Sequence, residues 1–160
     1  MEKQNNLKET IIAVAEKQKS ELIERLVSFV CHDTILYLPE NENAKKYLRL
    51  ANNLLNTDFQ MCQAFTTAEI NVLQKDKMVK YLAGLNSSKF AGLYIFATEL
   101  RSVLLAILFT EKKLSVDEAF ICSFTEEIEE QKKWGILEEI EQQHATVRAR
   151  LKDAEKMINA

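Results

Sequence analysis

The stretch KFAGLYIFATELRSVLLAILF, residues 89–109, decides the fold. It is apolar almost all round, and its length would suffice to cross a bilayer. Glu99 and Arg101 sit in its middle, where a hydrocarbon core makes charge costly. A helix apolar on every side, yet unsuited to lipid, belongs at the centre of a globular domain. The segment is therefore predicted to be one buried central helix, with no membrane insertion. Its two charges should emerge at an edge or meet partners in the core.

Working outward, the chain of 160 residues holds three glycines and one proline, too few for the turns that many short strands require. Ala, Leu, Glu, Lys and Gln dominate, and all are helix formers. The prediction is all-α: a single compact domain over 1–160, with about six helices. Upstream, residues 6–15 and 18–37 show helical spacing, and LPENEN (38–43) breaks it. A helix over about 43–56 should turn Tyr47, Leu48, Leu50, Leu54 and Leu55 inward. In 56–69, Phe59, Met61 and Phe65 fall at odd positions, which suggests a short extended segment. A helix over about 67–83 carries Ile70, Leu73, Met78, Tyr81 and Leu82, and GLNSS ends it, with Ser87 or Ser88 capping the next. Downstream, Ser115 and Glu118 form a capping box for a helix over about 116–134. A last amphipathic helix over 136–158 has the stripe Ile136, Ile140, His144, Val147, Leu151, Ala154 and Ile158.

The net charge of −3 argues against a nucleic-acid partner. It is unevenly spread: residues 117–141 hold nine Asp/Glu against two Lys, which is −7 and leaves +4 for the rest. Cys31, Cys62 and Cys122 are far apart with no CxxC, so reduced thiols in a cytosolic compartment are expected. The start, MEKQNNLKET, has neither a signal-peptide nor a presequence pattern. A bacterial cytoplasmic location is expected, or the mitochondrial matrix for a eukaryotic protein.

The motifs that could carry chemistry fall short. Glu141 and His144 have the Glu-x-x-His spacing of di-iron helices, but such sites need two of these motifs and further glutamates, and the chain has two histidines in all. Cys31, His32 and Asp33 have the residue types of a thiol catalyst, yet consecutive helical residues point about 100° apart. A buried Cys31 followed by two surface residues is expected instead. No glycine-rich phosphate loop or nucleophile elbow is present. We expect no enzyme, no metal and no cofactor.

The one tryptophan stands beside a glycine in EEQKKWGILEEIEQQH, residues 129–144. Gly135 can end the helix that starts at Ser115, with Trp134 packed at the elbow. Glu127 and Trp134, seven apart, share a helix face with Glu130 and Gln131 between them. Glu138 lies off the Ile136/Ile140 stripe and should face solvent. An acidic face with an aromatic at its corner is a plausible docking surface.

The segment LSVDEAFICSFTEEIEEQKKWGILEE resembles the signature of the assembly chaperones that hold the alpha subunit of the F-type ATP synthase catalytic sector, found in mitochondria and alphaproteobacteria. Leu114, Ser115, Glu118, Ala119, Trp134, Gly135 and Glu138 carry the resemblance. Asp33, Thr34 and Tyr37 upstream, and Ser102 in the apolar segment, are similar to weaker family positions. The resemblance runs from about residue 5 to the end. It implies a helical domain that covers the unassembled alpha subunit and yields it to beta subunits, with Glu127 and Glu138 as polar contacts and Trp134 fixing the corner. Two departures stand out: the family's N-terminal β-rich domain is missing, and Glu129 stands where the family often has an aromatic. The competing expectation is a helical adaptor or oligomerisation module with no synthase client; oligomeric state is left open.

Overall fold

A computed structural model describes residues 2–63 and 66–160, with side chains from residue 6 onward. At its centre the apolar segment forms two helices, α5 (Ser87–Leu100) and α6 (Val103–Thr110). Every residue of α6 is buried, and α5 buries Phe90, Leu93, Phe96 and Leu100. Phe96 and Phe109 stack with ring centroids 4.4 Å apart, so α6 folds back along α5.

The expected single helix over 89–109 is thus corrected, and the reason is polar. Arg101 takes a left-handed conformation, φ 54°, and the Ser102 side chain accepts a hydrogen bond from the Leu105 amide to start α6. Buried Asp33 reaches the same end: it accepts from the Ser102 hydroxyl at 2.6 Å and the Leu104 amide at 2.9 Å. A helix N-terminus buried in a core needs such acceptors for its unpaired N–H groups.

The remaining helices pack around this pair. They are α1 (Glu2–Lys17), α2 (Lys19–Phe29), α3 (Glu42–Leu55), α4 (Val72–Ala83), α7 (Val116–Ser123), α8 (Thr125–Trp134) and α9 (Glu138–Ile158). Two 3₁₀ turns, Val30–His32 and Thr34–Tyr37, follow α2, and no strand occurs among the described residues. α1 and α9 pack on α5, α3 on α6, and α4 on α2. The approach of α9 to α5 is closest at Gly92, where a Cβ would lie 2.7 Å from both the Ala154 carbonyl and the Ile158 side chain. Ser88 Oγ donates to the Met157 carbonyl at 2.7 Å beside it.

All-α architecture is as expected, but nine α-helices replace about six among the described residues. The expected helix over 18–37 ends at Phe29, and that over 116–134 breaks at Phe124. The α4 helix starts at Val72 rather than 67, with Asn71 and Gln74 making a capping box; Leu73 faces solvent, while Met78 and Leu82 are buried. Asn86, not Ser87 or Ser88, caps α5. The stretch after α3 is irregular with Phe59 buried; Phe65 lies outside the described residues. The Ser115/Glu118 capping box forms as expected. In the Cys31–Asp33 run His32 is exposed as expected, but Cys31 is half-buried rather than buried, and Asp33 is wholly buried instead of at the surface. No two cysteines are bonded to each other: Cys31, Cys62 and Cys122 are all free thiols.

Candidate partner-binding face

The C-terminal face is built on α7, α8 and α9. Phe120 of α7 and Phe124 at the break form an aromatic bed, and the His144 ring lies 5.2 Å from each. His144 Nε2 stands 2.7 Å from Glu127 Oε2, which ties α9 to α8. Arg148 lies over the Phe120 ring, 4.4 Å from its centroid, and 3.8 Å from Asp117. His144 is therefore a hydrogen-bonded residue at a half-buried rim; it does not join Glu141, and no cluster of metal-ligating groups occurs among the described residues.

The α8 helix itself has no buried residue. Glu126, Glu127, Glu129 and Glu130 are exposed, and Gln131 is half-buried, with its amide nitrogen buried and without a hydrogen-bond partner among the described residues. Leaving such an atom unpaired costs about 1–3 kcal/mol, and its burial places Gln131 at the seam between α8 and the body. The face that sequence spacing placed in solvent is thus split. Glu127 turns toward His144 and Gln131 toward the seam, while Glu130 and Trp134 stay outside.

The corner differs most from expectation. Trp134 is 80% exposed, and the Lys133 ammonium lies over its ring, 5.7 Å from the centroid. Gly135 ends α8 with φ +99°, a region that favours glycine, and a Cβ there would meet open space. The last helix begins at Glu138 rather than 136, so Ile136 and Leu137, at 67% and 62% exposure, join Trp134 in an uncovered apolar group. Its stripe is half-buried at Ile140, His144 and Val147, and buried from Leu151. Glu138 is exposed, in the first turn of α9, where negative charge is favoured.

The upstream residues of the resemblance serve the scaffold. Burial raises the Asp33 carboxyl from 3.8 to about 6, with hydrogen bonds from Leu104, Ser102 and Ile35 offsetting part of that cost. Thr34 donates from both its amide and its hydroxyl to the Arg101 carbonyl, which holds the helix break in place. Tyr37 donates to the Cys31 carbonyl and accepts from the Ala68 amide at 3.2 Å. Burial, then the Asp33 charge, pushes the Cys122 thiol up to about 12, so it stays a thiol. Glu99 reaches Arg150 at 3.1 Å, while Arg101 is exposed; the two charges of the apolar segment do emerge at an edge.

What the helices define is an all-α domain with an acidic, apolar-cornered face at its C-terminal end. No helix of the described residues is long and apolar enough to cross a membrane. No family model matches the chain. Among solved structures the fold is shared with Atp12 from Paracoccus denitrificans: TM-score 0.86 at 19% identity, over 94% of this chain and 68% of that one. A single Asp→Lys variant of the Paracoccus protein matches equally, at 18% identity. The Atu1473 protein of Agrobacterium tumefaciens, a candidate chaperone, matches with a TM-score of 0.77 at 20% identity, over 93% of this chain and 59% of its own.

Proposed function

We propose that this chain is an assembly chaperone that binds the unassembled alpha subunit of the F-type ATP synthase catalytic sector and yields it to beta subunits. One observation carries the reading: a chain whose sequence resembles these chaperones has the fold of Atp12 over 94% of its length. The exposed Trp134, Ile136 and Leu137, set among Glu130, Glu138 and Glu139, supply an uncovered apolar surface with an acidic border. An unassembled subunit exposes its own apolar interface and aggregates unless that surface is covered. No nucleotide motif is present in the sequence, so release comes from competition by the beta subunit. Glu127, Glu130, Gln131, Trp134, Gly135 and Glu138 are the proposed contact residues. The third of Atp12 outside the match leaves room for the β-rich domain that the resemblance implies.

The test is co-expression of the tagged chain with untagged alpha subunit. Soluble alpha subunit should co-purify, and Glu138→Lys should abolish this without changing the circular dichroism spectrum. Failure of the wild-type chain to retain alpha subunit overturns the proposal, and self-association in its place would favour an oligomerisation module.

A further inference from the structure

An open cleft of about 800 Å³ lies beside the face, lined by both 3₁₀ turns, the end of α5, the α7–α8 junction and the middle of α9. Three places abandon a helix that the sequence would have continued: residues 30–37, Arg101 and Phe124. All three line this one cleft, through His32, Thr34 and Tyr37, through Arg101, and through Phe124. The Arg101 backbone is the strained one, because its left-handed conformation, φ 54°, is disfavoured for a side chain where it would not be for glycine. Each break has its own local support in the fold, but three gathered around one concavity point to a use for that concavity.

Chemistry narrows the occupant. Phe29, Leu38, Phe124 and Val147 give the lining its apolar part. Its charged groups are Glu99, Glu126, Glu127 and Arg101, with His32 and His144 as titratable neighbours. Glu99 is engaged by Arg150 and Glu127 by His144, through one oxygen each. Neither Glu126 nor Arg101 has a charged partner among the described residues. With three carboxylates against the one Arg101 in its lining, the cleft offers carboxylate oxygens beside apolar side chains, complementary to a lysine or arginine flanked by apolar side chains.

We propose that this cleft takes an extended segment of the client, in which a basic side chain meets Glu126 and the second oxygen of Glu127 while its apolar neighbours cover Phe29 and Val147. This rests on the function proposed above and adds a second contact beside the Trp134 corner.

The test is site-specific photo-crosslinking of the full chain with purified alpha subunit. A benzophenone amino acid replaces Thr98, exposed in the cleft, or Trp134 at the corner, or Val72, which is exposed elsewhere. Capture of the alpha subunit from 98 and from 134 but not from 72, through a segment with Lys or Arg between apolar residues, is expected. In parallel, Glu126→Lys should weaken alpha-subunit binding at least tenfold. Capture from 134 alone overturns the cleft proposal and leaves the chaperone reading standing. Capture from 98 of a segment without a basic residue, or of a second copy of this chain, also overturns it, as does unchanged affinity in Glu126→Lys. Capture from none of the positions overturns both readings.

Discussion

Two glycines in this chain should respond oppositely to the same substitution, and the difference measures how α9 is seated. In Gly92→Ala the new Cβ lies 2.7 Å from the Ala154 carbonyl oxygen and 2.7 Å from the Ile158 side chain. Ordinary contact begins near 3.4 Å, so α9 must retreat by about 0.7 Å or α5 must bend. The Ile158 side chain can rotate away, but the carbonyl belongs to a helix and can move only with it. Overpacking of this kind costs about 1–3 kcal/mol. The better helix propensity of alanine returns up to about 1 kcal/mol, which leaves a net loss of about 1–2. Gly84 ends α4 with φ −76°, and its added Cβ would make ordinary contacts at 3.5 Å. Gly84→Ala should therefore gain about 0.4–1 kcal/mol, mostly by restricting the unfolded chain. Urea titrations followed by circular dichroism should separate the two variants by about 2 kcal/mol, roughly 4–8 °C in melting temperature for a chain of this size. Equal stability of the two variants, or a stabilising Gly92→Ala, would refute the close approach of α9 to α5.

Asp33 sets a pH signature. Its carboxyl is held at about 6 in the folded protein against 3.8 ordinarily, so its protonated form favours folding. That contribution is complete below about pH 4 and is lost as pH rises through 6, up to about 3 kcal/mol in all. The stability of wild type relative to Asp33→Asn should fall between pH 4.5 and pH 7.5, and a rise would be the wrong sign. Trp134→Ala should change stability by less than about 0.5 kcal/mol, because the ring packs on nothing in the core, yet reduce alpha-subunit retention in pull-downs. Ser115→Ala removes the hydroxyl that accepts from the Glu118 amide and should cost about 1 kcal/mol in thermal melts. Alkylation under native conditions should modify Cys31 first and leave the buried Cys122 untouched until unfolding, as read by mass spectrometry.

The fold class and the central position of residues 89–109 were legible because apolar content and glycine scarcity are bulk properties. The α3 helix and the capping box at Ser115 were legible because their signals are local. The breaks at Arg101 and Phe124 were not. Arg101 is held in its conformation by Thr34, 67 positions away, and the start of α6 by Asp33, at a separation of 69 from Ser102. No window of periodicity contains such partners. At the face, a spacing of seven places Glu127 and Trp134 along one stripe of a helix, but the stripe is split: Glu127 is drawn to His144, one helix further on, while Trp134 stays in solvent. The exposed corner was misread because Ile136 continues the α9 stripe in sequence, whereas the chain has not yet entered the helix there.

That no residue of α8 is fully buried has a consequence for how such a protein can change over generations. The interior around α6 is closed to almost any replacement, since each side chain there has neighbours on every side. Apart from Ile128, which packs against the core, and the inward-turned Glu127 and Gln131, the outer helix carries no such obligation, so polar substitutions elsewhere on it leave the architecture untouched. A lineage could rework that outer surface residue by residue, and with it the recognition proposed above, and still keep the backbone it shares, at 19% identity, with the Paracoccus protein.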